Sequence, residues 1–120
     1  MPTSAVMKAA MQAYINHFNS GSAEAVANLY ANDATVEDPV GSPAIAGRAA
    51  ILAFYQKSIA TGAKLTLDAP IRSSHGNSAA MAFSAIIGPL TVRVIDVMTF
   101  DEAGHFTSMR AYFGPDDISK

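Results

Sequence analysis

Asp96 is a carboxylic acid set in an apolar strand pattern, and Asp38 is a second acid placed directly before a proline. From Leu90 to Phe100 the chain alternates with period two. Val92, Val94, Asp96, Met98 and Phe100 share one face, and Thr91, Arg93, Ile95, Val97 and Thr99 share the other. The first face is the one that turns to a core. Ionised and unpaired there, a carboxylate costs roughly several kcal/mol in desolvation. Asp96 therefore either finds a partner or keeps its proton at neutral pH, where it becomes a strong hydrogen-bond donor. The alternative is a strand slipped by one residue, which leaves Asp96 in water. Asp38 closes the segment Ala34-Thr35-Val36-Glu37 ahead of Pro39-Val40-Gly41. A loop held by a rigid scaffold is a common home for a catalytic group, although Asp before Pro is also an ordinary turn starter.

Tyr14, Tyr30 and Tyr55 fall on apolar faces of three predicted helices. Buried phenols need partners, and three of them with one inward acid can satisfy each other in a short network whose members polarise one another. Taken singly, each reads more simply as a core residue whose hydroxyl finds a carbonyl or a water. His17, His75 and His105 show no ligand spacing, so no metal is expected. No G-x-S-x-G or G-x-G-x-x-G occurs, and the serines lack a paired histidine. Nucleophilic hydrolysis and a phosphate loop have no support.

The elements that must position these groups follow from periodicity. Met7, Met11, Tyr14, Ile15 and Phe18 predict a helix over Ser4–Asn19, stopped by Gly21. Ser22 can cap a second, short helix carrying Val26, Leu29 and Tyr30. A brief strand over 34–37 leads into a loop at Gly41-Ser42-Pro43, and a third helix follows Gly47, carries Ile51, Phe54, Tyr55 and Ile59, and stops at Gly62. From Lys64 onward the pattern alternates, predicting strands over 65–69, 79–87, 90–100 and 106–113, with turns at His75-Gly76-Asn77, Gly88-Pro89 and 101–104. Helices followed by strands predict an α+β domain, helices on one face of a curved antiparallel sheet. Such a cone has an open mouth where a small apolar ligand fits.

Composition sets the outer limits. At 120 residues the chain is expected to form one domain with one core. Half the residues are hydrophobic and 15% are charged, which excludes a disordered tail. A net charge of −2 without a basic run argues against nucleic acid and anionic membrane as partners. The absence of cysteine excludes disulfides and thiolate catalysis. No leader pattern or long apolar stretch stands out, so a cytoplasmic protein is expected.

Ala34-Thr35-Val36-Glu37-Asp38-Pro39-Val40-Gly41-Ser42, Gly47-Arg48, Phe54-Tyr55, Ile95-Asp96 and Ser108-Met109-Arg110-Ala111 together resemble the bacterial ketosteroid isomerases, members of the NTF2-like superfamily of cone-shaped α+β folds. The similarity runs from Tyr14 to Gly114. It implies a cone-shaped NTF2-like domain over residues 1–120, with three N-terminal helices packed on a curved, mostly antiparallel sheet. It further implies a cofactor- and metal-free isomerase that converts 3-oxo-Δ5-steroids to their Δ4 isomers through a dienolate, and that works as a homodimer. Asp38 matches the family's base, Tyr14 and Asp96 its two donors, and Tyr55 and Tyr30 the tyrosines that complete the network in some members. That family is itself the standard illustration of a carboxylic acid held protonated at neutral pH. Phe54, Phe83, Ala85, Met109, Ala111 and Phe113 lie on apolar faces and are expected to wall the steroid site, although plain core packing fits each equally well. The Gly88-Pro89 hairpin and the tail from Pro115 to Lys120 are shorter than is usual in the family. A fold of this kind hosts unrelated functions. The competing readings are another NTF2-like enzyme, such as a polyketide cyclase, and a non-catalytic binding module for an apolar ligand.

Overall fold

In the computed structural model, which describes all of residues 1–120, helix α1 spans Ser4–Asn19 as its periodicity predicts. The Thr3 hydroxyl caps it by accepting from the Val6 N–H, and Met7, Met11, Tyr14, Ile15 and Phe18 are all buried. Helix α2 is short, Ala23–Ala27, with Ser22 accepting from the Ala25 N–H. It does not extend to Tyr30. That residue opens strand β1, Tyr30–Glu37, so the helical spacing of Val26, Leu29 and Tyr30 misplaces the tyrosine. The strand starts earlier than its hydrophobic pattern suggests because pairing with a neighbour, interrupted by a register shift between Tyr30 and Thr35, holds polar residues extended.

Strand β2, Ile45–Ala46, pairs with β1, and helix α3 follows as Arg48–Ala60. The α3 start is tied to β1 by the Arg48 guanidinium, which donates to the Tyr30 carbonyl. Gly62, at φ +83°, takes the left-handed turn that ends this stretch and directs the chain into β3, Lys64–Leu67. Strands β4 (Ser78–Ile87), β5 (Leu90–Phe100) and β6 (Phe106–Tyr112) form an antiparallel meander. The tail forms a 3₁₀ turn, Pro115–Asp117, and a two-residue strand β7, Ile118–Ser119, which pairs with β5 at Thr91 and Val92.

The sheet order is β2-β1-β6-β5-β4-β3, and its one parallel pairing joins β1 to β6. The whole is an α+β fold of three helices on a curved, mostly antiparallel sheet. Twenty-four buried residues form one apolar cluster between the helices and the inner sheet face. No helix is long and apolar enough to cross a membrane.

Candidate active site

Strand β5 delivers Asp96 to the interior. Its residues alternate as expected, with Val94, Asp96, Met98 and Phe100 buried and Arg93 and Ile95 exposed. Asp96 is 1% exposed and stands between Met81 on β4 and Ala111 on β6. The strand is not slipped. Both carboxyl oxygens of Asp96 are buried without a hydrogen-bond partner. Burial pushes its pKa well above the usual carboxylate range, and the nearby charge of Asp38 pushes it further. Of the two outcomes the sequence allows, the acid has no partner within the chain, and its neutral form is the favoured one.

Asp38 arrives from the other side of the same residue row. It follows Glu37, which pairs with Arg110, and the Val40 N–H donates to the Ala111 carbonyl at 2.8 Å. Ala111 therefore lies between the two acids. The turn is held by the Gly41 N–H donating to Glu37 Oε2 at 3.1 Å and by Arg110 Nε donating to Glu37 Oε1 at 3.4 Å. The Asp38–Pro39 peptide is cis. Asp38 is half-buried, and desolvation raises its pKa from 3.8 to about 6. At neutral pH it remains mostly ionised, beside an acid whose burial favours the protonated form.

Three phenols complete the polar interior. Tyr14 and Tyr55 hydroxyls lie 3.0 Å apart, and those of Tyr55 and Tyr30 lie 2.5 Å apart. Burial raises the pKa of all three well above 10. The hydrogen bond from Tyr55 favours the ionised form of Tyr14, and that from Tyr30 favours the ionised form of Tyr55. Either hydroxyl of each pair can donate, and with donation running from Tyr30 to Tyr55 to Tyr14 the Tyr14 proton is free to point onward. Asp96 lies close enough that its charge would raise Tyr14 further.

A cavity of about 210 Å³ opens onto these groups. Tyr14, Tyr55, Asp38 and Asp96 line it, with Phe54, Phe83, Ala85 and Phe113 on its walls. Two expected wall residues, Met109 and Ala111, are not among those that line it. Both are buried in the core cluster, while Tyr30 joins the network as expected, at the far end of the phenol chain from Tyr14. An inward-facing position on a strand fixes the face, and does not tell a residue packed in the core from one that lines a cavity. Phe18, Ser58, Thr61, Ala63, Leu65, Ile87, Val92 and Val94 also line the cavity. Of these, Val92 and Val94 were findable, because they share the face of Asp96. The rest carry no distinguishing pattern.

Two acids and a phenol lining the apolar cavity of a curved α+β fold set the frame in which the chain's relatives can be placed. The chain belongs to the SnoaL-like domain family, whose model matches residues 11–109. It is 42% identical over 119 residues to the Steroid Delta-isomerase of Nocardioides simplex, covering 96% of this chain and 95% of that protein. The resemblance to the ketosteroid isomerase family therefore extends over nearly the full length. Epoxide hydrolase LasB of Streptomyces lasalocidi is 28% identical over 127 residues, 99% of this chain, although the chain spans only 45% of that protein. Among solved structures, SalBIII, an epoxide hydrolase/cyclase-like enzyme of pyran ring formation in polyether salinomycin, superposes with a TM-score of 0.85 at 27% identity, covering 94% of each chain.

Proposed function

We propose that this protein is a cofactor-independent steroid Δ-isomerase, which moves the double bond of 3-oxo-Δ5-steroids into conjugation with the ketone. The observation that carries this reading is the Asp96 carboxyl, buried and unpartnered, its pKa pushed up by that burial, in an apolar cavity that Tyr14 and Asp38 also line. Holding a hydrocarbon needs no such group. Stabilising a new oxyanion does.

The hydrogens on the carbon between ketone and alkene are weakly acidic. Asp38, as a carboxylate, takes one of them, and the electron pair moves onto the ketone oxygen to give a dienolate. Tyr14 and Asp96 donate hydrogen bonds to that oxygen, each worth about 10²–10³ in rate in a dry site. Asp38 then returns the proton to the carbon two bonds away, so no atom is gained or lost. A positioned base of this kind contributes about 10²–10⁴. The relative from Nocardioides simplex bears the matching name. The decisive assay follows the ultraviolet absorbance of the conjugated enone formed from 5-androstene-3,17-dione. Tight binding of a phenolic steroid without turnover would instead leave a binding module.

A second reading is favoured by the structural match to SalBIII. The same donors can activate an epoxide oxygen while Asp38 deprotonates the attacking hydroxyl, as a polyketide-type cyclase requires. Turnover of a hydroxy-epoxide with none of the steroid would select it.

We also propose a homodimer formed through the outer sheet face. Ile95 is 49% exposed there, next to its exposed cross-strand partner Tyr112, and half-buried Val97 shares that face. Sedimentation at micromolar concentration should give twice the chain mass, and a monomer would reject the assignment.

A further inference from the structure

The cavity has two chemically different ends. The sheet register separates them. Asp96 sits in the row Met81–Asp96–Ala111, whereas Val92 sits in the row Leu65–Ala85–Val92, four residues along β5. At about 3.3 Å per residue the two rows are about 13 Å apart, and residues of both line the same cavity. Chain continuity brings the C-terminal end of α3 to this second row: Thr61, the residue that caps α3, lies four residues before Leu65, and Thr61, Ala63 and Leu65 all line the cavity. That end contributes Ser58 and Thr61, the cavity's remaining polar groups outside the acid and phenol cluster.

Resting on the isomerase reading above, we propose that Ser58, with Thr61 beside it, is a specificity determinant that selects a hydroxyl over a ketone at the end of the steroid remote from the reacting carbonyl. The argument is one of hydrogen-bond accounting. The Ser58 hydroxyl donates to the Phe54 carbonyl at 3.0 Å, and the Thr61 hydroxyl donates to the Ser58 carbonyl at 2.6 Å. Thr61 Oγ1 also accepts from the Ala63 N–H at 3.3 Å. Each hydroxyl has thus committed its single proton to the helix, and what Ser58 Oγ presents to the cavity is an acceptor. A substrate hydroxyl can donate to it. A substrate ketone has only acceptors to offer, and gains a bond only if Ser58 abandons Phe54. The tetracyclic skeleton laid along β5, its ketone on Tyr14 and Asp96, brings its far substituent to this second row.

The test measures kcat/KM for three 3-oxo-Δ5 substrates that differ only at the remote ring carbon: a hydroxyl, a ketone, and no oxygen. The hydroxyl substrate should exceed the ketone by about 3- to 10-fold, the span of one net hydrogen bond, chiefly through KM. In Ser58→Ala that ratio should fall to near one, Thr61→Val should reduce it partly, and Ser58→Thr should restore it. A ratio unchanged in Ser58→Ala, or a wild-type preference for the ketone, overturns the proposal while leaving the isomerase intact. Failure to turn over any of the three substrates would overturn the isomerase reading itself.

Discussion

Asp38 and Asp96 are the same side chain in two unlike regions, and the contrast between those regions produces the chemistry. Asp96 stands in the middle of an eleven-residue strand with partners on both sides, and its carboxyl sees apolar walls. Asp38 stands one residue past the end of β1, in a turn fastened by Glu37 and by Val40, and keeps partial contact with solvent. Sealed in, the first acid keeps its proton. Half-open, the second has a pKa of about 6, low enough to be a carboxylate at pH 7 and high enough to be a competent base. A carboxyl's role here is set by how much water reaches it. The two must differ, since two carboxylates this close would each oppose the other's ionisation.

Removing the half-open member should have the largest effect. Asp38→Asn should lower kcat by about 10²–10⁴, measured by enone formation, while a phenolic steroid still binds. The same substitution should stabilise the fold. Asp38 titrates near 3.8 when unfolded and about 6 when folded, so its contribution is fully present below pH 3.8 and is lost as pH rises through about 6. At pH 7 its carboxylate costs up to about 3 kcal/mol, at 1.36 kcal/mol per pKa unit. Urea unfolding should show Asp38→Asn gaining about 1–3 kcal/mol at pH 7 and nothing at pH 3. Equal stability at pH 7 would mean that the site is wetter than its geometry implies.

Next in size, Tyr14→Phe should cost about 10²–10³ in kcat with little change in unfolding midpoint. The sealed acid can then be probed with two substitutions. Asp96→Leu deletes a donor and should cost about 10², whereas Asp96→Asn keeps an N–H donor and should cost less. Isotope-edited infrared spectroscopy should find the Asp96 carboxyl protonated at pH 7, and a carboxylate band would abolish its contrast with Asp38. The smallest effect is the pH dependence. Because Asp38 must be ionised, kcat/KM should halve near pH 6, fall about tenfold per further pH unit, and stay level from pH 7 to 8.

The same contrast explains what the sequence made legible. Long elements with unbroken periods were readable to the residue, as α1 and β5 show, and with β5 came the inward direction of Asp96. Short elements were not. β2 and β7 are two residues each and carry no period, and they exist because a neighbouring strand offers them an edge. Val26, Leu29 and Tyr30 at helical spacing point to a helix, whereas Tyr30 opens a strand whose register shifts within it. The walls were half legible. Phe54, Phe83, Ala85 and Phe113 line the cavity, while Met109 and Ala111 are packed in the core, because a period of two marks the inward face and carries no sign of where that face is left open.

Strand β5 is hydrogen-bonded to β4 along its whole length, and to β6 and β7 on its other side. Its amides should therefore be among the slowest in the molecule to trade hydrogen for deuterium, giving way only when the entire fold opens. Partial fraying at α2 or at the Gly88-Pro89 hairpin leaves the Asp96 backbone closed. The acid that has to stay dry is carried by the segment with the least opportunity to meet water during the protein's lifetime.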